Sequence, residues 1–203
     1  QRLADERGEA PDVSGSGRRN ANLLAVAPNA SSSIICGGTS PSIEPYRANV
    51  YTHKTLSGSF QVKNKYLEDI LQDKGLKKDE LTALWKDIAG NEGSVQHLDI
   101  LTDDEKEIFK TANEIDQIWI IEHAAKRQEF ICQAQSVNLF FTIPTATEPQ
   151  EVHDEYMQYV NDAHWYGMNK LKSLYYFRTN AARNAENVNT KVQRIKLDDA
   201  ECI

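Results

Sequence analysis

The stretch RRNANLLAVAPNASSSIICGGTSPSIEP, from Arg18 to Pro45, decides how the rest of the chain is read. Asn22 to Ala27 is a short apolar run bounded by turn signals, the pattern of a buried strand. Pro28 ends it. Ser31 to Cys36 then opens a short helix that stops at Gly37-Gly38. The first amides of a helix have no partner inside it, and the helix dipole favours an anion there. Ser31, Ser32 and Ser33 add hydroxyl donors, and no carboxylate lies in the loop to repel a phosphate. The same residues also make a plain serine cap. They are not a Walker A loop, because the second Gly and the Lys are missing. Ile43-Glu44-Pro45 is extended, since a proline disfavours helical geometry in the residue before it.

Working outward, residues 1–8 read as the end of a helix and GEAPDVSGSGRR as a loop. Residues 51–55 and 59–63 flank Leu56-Ser57-Gly58 as a hairpin. Helices are predicted at 64–74 and 78–89, broken at Gly75. Thr102-Asp103-Asp104-Glu105 is a capping box. It opens the longest predicted helix, 103–127, with Ile108, Ala112, Ile115, Ile118 and Trp119 on one face. Residues 131–142 (ICQAQSVNLFFT) read as a strand, with Gln133, Gln135 and Val137 on one face and Ala134, Ser136 and Asn138 on the other. Polar residues in so apolar a strand fit a cavity wall and a water-exposed edge equally well. A helix at 150–171 carries Tyr156, Tyr159, Trp165 and Tyr166, and a short strand follows at 174–178 (LYYFR). Residues 186–203 hold few apolar side chains and read as a mobile tail. Alternating strands and helices, with no internal repeat, predict an α/β layer structure or barrel.

Composition narrows the function classes. The 203 residues are 40% hydrophobic and 26% charged, enough for one domain with its own core and unlike a disordered polyelectrolyte. A net charge of -7 argues against a nucleic-acid binder. No apolar run approaches the ~20 residues of a membrane span, and no signal-peptide pattern is present. Cys36, Cys132 and Cys202 are far apart, and the five histidines form no HxxxH pair, so no metal site is predicted. Cys36 and Cys132 read as small core residues, His97, His123, His153 and His164 as structural ones. The reducing cytoplasm is the default compartment.

Two further features carry chemistry. Tyr175-Tyr176 in a strand places one ring in the core and one at the surface, if the pair only packs. As a redox device, two neighbouring phenols relay an oxidising equivalent with a proton at each step. Cys202 is either an incidental thiol or one on an arm that exchanges with a disulfide elsewhere, chemistry that needs reach and a resolving partner.

Taken in chain order, the opening stretch, FICQAQSVNLFF (130–141), LKSLYYFRTN (171–180) and DDAEC (198–202) resemble the C-terminal part of the class I ribonucleotide reductase large (alpha) subunit. The resemblance implies the last part of a ten-stranded α/β barrel over residues 1–185 and a flexible C-terminal tail over 186–203. It implies that Pro28, Asn29, Ala30, Ser31, Ser32 and Ser33 hold the diphosphate of a nucleoside diphosphate substrate. Tyr175 and Tyr176 would pass a radical from the metal-containing small (beta) subunit, and Cys202 would belong to the arm reduced by thioredoxin or glutaredoxin. The implied partners are the rest of alpha, beta, substrate and that reductant, with no nucleic acid, no membrane and no cofactor bound by this chain.

The departures from the family pattern matter as much. The family's finger-loop cysteine and the pair that becomes oxidised have no counterpart, and Cys36 and Cys132 do not match them. The second tail cysteine and the N-terminal ATP-binding region are also missing, and Asn29 and Ala30 are not the commonest residues of the phosphate loop. The tyrosine pair favours class I, and no glycyl-radical motif is present. A start at Gln1 and an end at Cys202-Ile203 give the expectation of a piece of a longer subunit, inactive without its upstream part. The alternative is a non-catalytic split-gene product or remnant that binds the rest of alpha or beta without turnover.

Overall fold

A computed structural model describes residues 1–55 and 58–179. The N-terminal helix α1 (Arg2–Arg7) and a 3-10 turn (Pro11–Val13) precede α2 (Ala30–Ile35). The hairpin predicted at 51–63 is present: β1 (Val50–Thr55) pairs antiparallel with β2 (Gly58–Lys63), Val50 opposite Lys63. Helix α3 (Lys65–Asp73) is capped by Asn64, whose side chain accepts the Tyr66 N–H at 3.1 Å. Helix α4 (Lys78–Gly90) follows, with Glu80 reaching back to the Lys77 N–H at 2.7 Å. Leu67 and Leu71, four apart, and Trp85 and Ile88, three apart, each line one helix face. They meet Val50, Val95, Leu98, Leu101 and Phe109 in a first core.

A buried amide ties this core together. The Asn49 Nδ2 donates to the carbonyls of Gly93 (3.0 Å) and Phe109 (2.8 Å), and its Oδ1 accepts from Asn64 Nδ2 (2.9 Å). Gly93 sits at φ +81°, where a Cβ would lie 2.4 Å from the Ala48 Cβ.

The long helix predicted at 103–127 is two helices, α5 (Asp103–Ile108) and α6 (Gln117–Gln128). The Thr102 capping box is present, but two interactions break the helix behind it. The Ala112 N–H donates to the Tyr46 carbonyl at 2.7 Å. Asp116 then caps a new helix by accepting the Ile118 N–H at 3.0 Å. The single apolar face expected there does not exist, for Ile108 and Trp119 are exposed while Ala112 is buried.

The second core joins α6, β3 (Leu139–Phe141) and α7 (Gln150–Lys170), with β4 (Phe177–Thr179) paired to β3 beside it. Ile120, Ile121, Ala124, Leu139, Phe140, Phe141 and Ala163 are its buried centre, and Tyr156, Tyr159 and Tyr166 pack against it, while Trp165 is exposed. Strands β3 and β4 are parallel, joined through α7 as a βαβ unit. On the other side, Val26 bridges Gln135 in parallel, with the Ser136 N–H donating to the Val26 carbonyl at 2.9 Å. Residues 134–139 thus run between two parallel neighbours.

The strand predicted at 22–27 reduces to that one bridge, and Leu23 and Leu24 are exposed. Their amides turn to the Cys132 sulfur, at 2.9 and 3.0 Å, instead of extending the ladder. The strand at 131–142 shortens to 139–141, and that at 174–178 shifts to 177–179. Gln135 and Asn138 line neither a cavity nor a wet edge; both are buried, and Gln135 is satisfied by Arg127 Nε (3.1 Å) and the Ala124 carbonyl (2.7 Å). Cys36 and Cys132 are exposed, not core residues. Among the described residues the strands form two two-stranded sheets and no closed barrel. The tail at 186–203 lies outside the described residues. No described helix is long and apolar enough to cross a membrane.

Gly75 shares the positive φ of Gly93, but nothing lies within 4 Å of an added Cβ. Gly75→Ala therefore costs only the left-handed backbone penalty, about 1–2 kcal/mol. Gly93→Ala adds an overpacking cost of about 1–3 kcal/mol, so its melting temperature falls further than that of Gly75→Ala; equal shifts contradict the contact with Ala48. At Cys132, hydrogen bonds from the amides of Leu24 and Leu23, and behind them the Lys172 charge, hold the thiol below the ordinary cysteine value. Only the thiolate alkylates. The iodoacetamide rate at Cys132, followed by mass spectrometry against pH, should reach half-maximum below the ordinary thiol pKa. Lys172→Met should move that midpoint upward.

Candidate functional site

The turn after Val26 leads into the hydroxyl-rich helix as the sequence suggests. Asn29 takes the left-handed conformation, φ 54° and ψ 24°, and turns the chain into α2. Asparagine tolerates that region better than most residues. Its carbonyl accepts the Ser33 N–H at 3.0 Å and the Ser32 hydroxyl at 3.1 Å. A shallow open cavity of about 490 Å³ lies beside the loop, lined by Asn29, Ser32, Ser33, Cys36, Thr39, Ser40 and Ser42. Its lining holds hydroxyls, a thiol and an amide and no carboxylate, an arrangement compatible with an anion. Two side chains outside the motif fix its far edge: Tyr46 donates to the Gly38 carbonyl at 2.7 Å and Lys65 to the Gly37 carbonyl at 2.9 Å. Burial pushes the Tyr46 phenol up from its ordinary value, so it stays a donor.

Tyr175 and Tyr176 do not sit on opposite faces of a strand. Their ring centroids are 4.0 Å apart with planes tilted by 51°, and both side chains are about half exposed. Pure core packing does not describe such a pair. The Arg178 guanidinium lies 5.4 Å from the Tyr176 ring centre. A hydrogen bond with the Tyr176 phenol, then the charge of that phenol, raises the Tyr175 pKa.

The backbone explains the approach. The Tyr175 N–H donates to the Val137 carbonyl (2.9 Å), and the Leu139 N–H donates to the Tyr176 carbonyl (2.9 Å). The Tyr176 N–H points to neither; it donates to Asn138 Oδ1 at 3.2 Å. Asn138 Nδ2 in turn donates to Glu44 Oε1, and the other Glu44 oxygen meets Arg47 at 3.3 Å. Glu44 belongs to the Ile43-Glu44-Pro45 turn, two residues beyond Ser42 of the cavity wall.

The structure therefore brings Asn29, Ser32 and Ser33 to one cavity and Tyr175 and Tyr176 together as a pair. Pro28 leads into the Asn29 turn, and the backbones of Ala30 and Ser31 open α2. Cys202 lies outside the described residues. Sequence reasoning missed Glu44, Tyr46, Lys65 and Asn138. The only signal for Glu44 was the extended turn before Pro45, and for Asn138 the polar residue within an apolar strand. Among the described residues no group of three or more His, Cys, Asp or Glu could hold a metal.

Comparison with known proteins places the chain. A family model described as "Ribonucleotide reductase, barrel domain" matches residues 7–177. The large subunit of ribonucleoside-diphosphate reductase from Invertebrate iridescent virus 6 is 44% identical over 190 residues, covering 93% of this chain and 19% of that protein. The corresponding subunit from Caenorhabditis elegans is 38% identical over 171 residues, 83% of this chain and 20% of that protein. A solved structure, the class Id ribonucleotide reductase alpha subunit of Actinobacillus ureae, superposes with a TM-score of 0.61 at 40% identity, covering 88% of this chain and 30% of that one. The chain spans about a fifth of the length of these two relatives. With the family match running through the serine loop and as far as Phe177, beyond the tyrosine pair, the chain belongs to the ribonucleotide reductase barrel-domain family.

Proposed function

We propose that this chain is the C-terminal segment of the catalytic barrel of a class I ribonucleoside-diphosphate reductase large subunit, residues 1–185 completing a ten-stranded barrel and 186–203 forming its reductant tail. The complete enzyme replaces the ribose 2′-hydroxyl of a nucleoside diphosphate with hydrogen, using radical chemistry with thiols as the reductant, in the cytoplasm. This segment contributes a substrate-phosphate loop at Pro28–Ser33, the tyrosines that hand the oxidising equivalent onward, and Cys202 on the arm re-reduced by thioredoxin or glutaredoxin. The radical comes from a metal-containing small subunit; this chain holds no cofactor of its own.

The observation that carries the reading is the 4.0 Å approach of two half-exposed phenol rings. In each transfer, one phenol gives up an electron and a proton and its neighbour's phenoxyl takes them up, so the charge balance of the pair is unchanged. A short path favours both transfers. The serine loop supports the second half of the reading. Its concavity is free of carboxylates, and its Asn29 turn exposes the following amides at a helix start.

Two tests separate these parts. In the complete large subunit with its small subunit, Tyr175→Phe and Tyr176→Phe keep each ring but remove the oxidisable O–H. Each should abolish turnover while substrate affinity and melting temperature stay near those of the parent; substantial turnover in either variant removes that tyrosine from the relay. Ser31→Asp with Ser32→Asp places like charge against the diphosphate. Unit charges ~4 Å apart repel by about 1–4 kcal/mol between bulk water and an effective dielectric of 20, so substrate Kd should rise about fivefold or more. Unchanged affinity by calorimetry refutes the phosphate loop.

A further inference from the structure

A parallel ladder advances by equal steps on its two strands. Between its bonds to Val137 and to Leu139, the tyrosine segment does not. Leu139 is in register with Phe177, whereas the Tyr175 N–H on the Val137 carbonyl places Val137 level with Leu174. Two steps on one strand face three on the other, so the tyrosine side carries one extra residue, a bulge. Successive side chains of a regular strand point to opposite faces. The extra residue cancels that alternation and lets the two rings meet. It also strands one ladder donor, the Tyr176 N–H, and that donor is the one taken up by Asn138 Oδ1.

Asn138 is 1% exposed and faces two demands at once. Its oxygen must accept from Tyr176, and its nitrogen must donate to the buried Glu44 carboxylate. A carboxamide meets both demands, whereas an ionised carboxylate has no donor. Rotating the amide by half a turn would set oxygen against carboxylate and NH2 against N–H, so the contacts fix its orientation. Glu44 is itself anchored by Arg47, whose guanidinium lies 5.3 Å from the centre of the Phe140 ring in β3.

We propose that Asn138, oriented by Glu44, is a positioning residue that holds the bulge bringing the Tyr175 and Tyr176 phenols together, and so sets the rate of transfer between them. The inference rests on the relay reading above. It touches neither substrate nor the reacting oxygens, so its loss acts on the rate rather than on binding.

The test uses the complete large subunit with its small subunit and compares Asn138→Asp, Glu44→Gln and the double variant. Asn138→Asp sets two carboxylates face to face. Its kcat should fall about a hundredfold, the scale of a small misplacement in a reacting pair, with substrate KM held within about twofold. Glu44→Gln keeps an acceptor for Asn138 but sets its NH2 against the Arg47 guanidinium, so its kcat should fall, though less than that of Asn138→Asp. The double variant restores a donor opposite the new carboxylate and should recover most of the lost kcat. A folded Asn138→Asp with parental kcat, or with raised KM alone, overturns the proposal. If Asn138→Asp does not fold, the double variant decides: folded and active supports the pair, folded and as slow as a relay mutant overturns it. Tyr175→Phe, run alongside, keeps the two readings apart. Activity in that variant sinks the relay itself, whereas its inactivity beside a normal Asn138→Asp sinks only the role of Asn138.

Discussion

Backbone pairing of residues 134–139 on both sides positions the serine loop and the tyrosine pair. The Val26 N–H donates to the Ala134 carbonyl and the Ser136 N–H to the Val26 carbonyl on one flank; Val137 and Leu139 bond Tyr175 and Tyr176 on the other. Because the pairings are parallel, the serine loop that follows Val26 and the tyrosine pair that precedes β4 are brought to opposite flanks of one strand. Two interstrand spacings, ~10 Å, separate those flanks. Neither flank needs a long structure of its own. A single bridge at Val26 and a three-residue β4 suffice, since α6 and α7 pack over the central strand and supply the apolar burial.

The features legible in the sequence are those decided by near neighbours. The Thr102 box, the hairpin, the Asn29 turn and the hydroxyl-rich helix start rest on contacts a few residues long, and all stand where the residue types place them. The helix predicted through 109–116 fails for the converse reason. Its apolar spacing is adequate, but Ala112 bonds Tyr46, 66 positions earlier in the sequence, and Asp116 competes as a cap. Tyr159 adds to the second start: its phenol accepts the Gln117 N–H (2.8 Å) and donates to Asp116 (2.8 Å), and burial first of all pushes its pKa up to about 12. A tertiary partner of that kind has no local signature.

The candidate site divides along the same line. Tyr175-Tyr176 is visible as two letters, yet strand periodicity alone puts the rings on opposite faces. Their approach depends on a bulge, and the bulge depends on a side chain from the neighbouring strand. Asn138 and Glu44 are 94 residues apart and carry no shared spacing. Cys132 departs from the usual burial of a free cysteine; its sulfur takes the two amides that the exposed Leu23-Leu24 segment withdraws from the ladder.

A buried carboxylate and amide are a poor choice for stability alone. Well-packed apolar residues of similar volume often do as well or better than a buried polar pair, and the best-attested use of such pairs is to fix register. Register is what is at stake here. With an apolar side chain at position 138, the part-buried Tyr176 N–H would lose its protein partner, at a cost of up to about 1–3 kcal/mol, the value for a fully buried donor. Sliding the tyrosine segment by one residue would return that donor to the ladder. The same slip would also restore the alternation of side chains and send the two rings to opposite faces. The polar pair makes the bulged register the one in which the Tyr176 N–H is met, and that register is what lets these two adjacent tyrosines face each other.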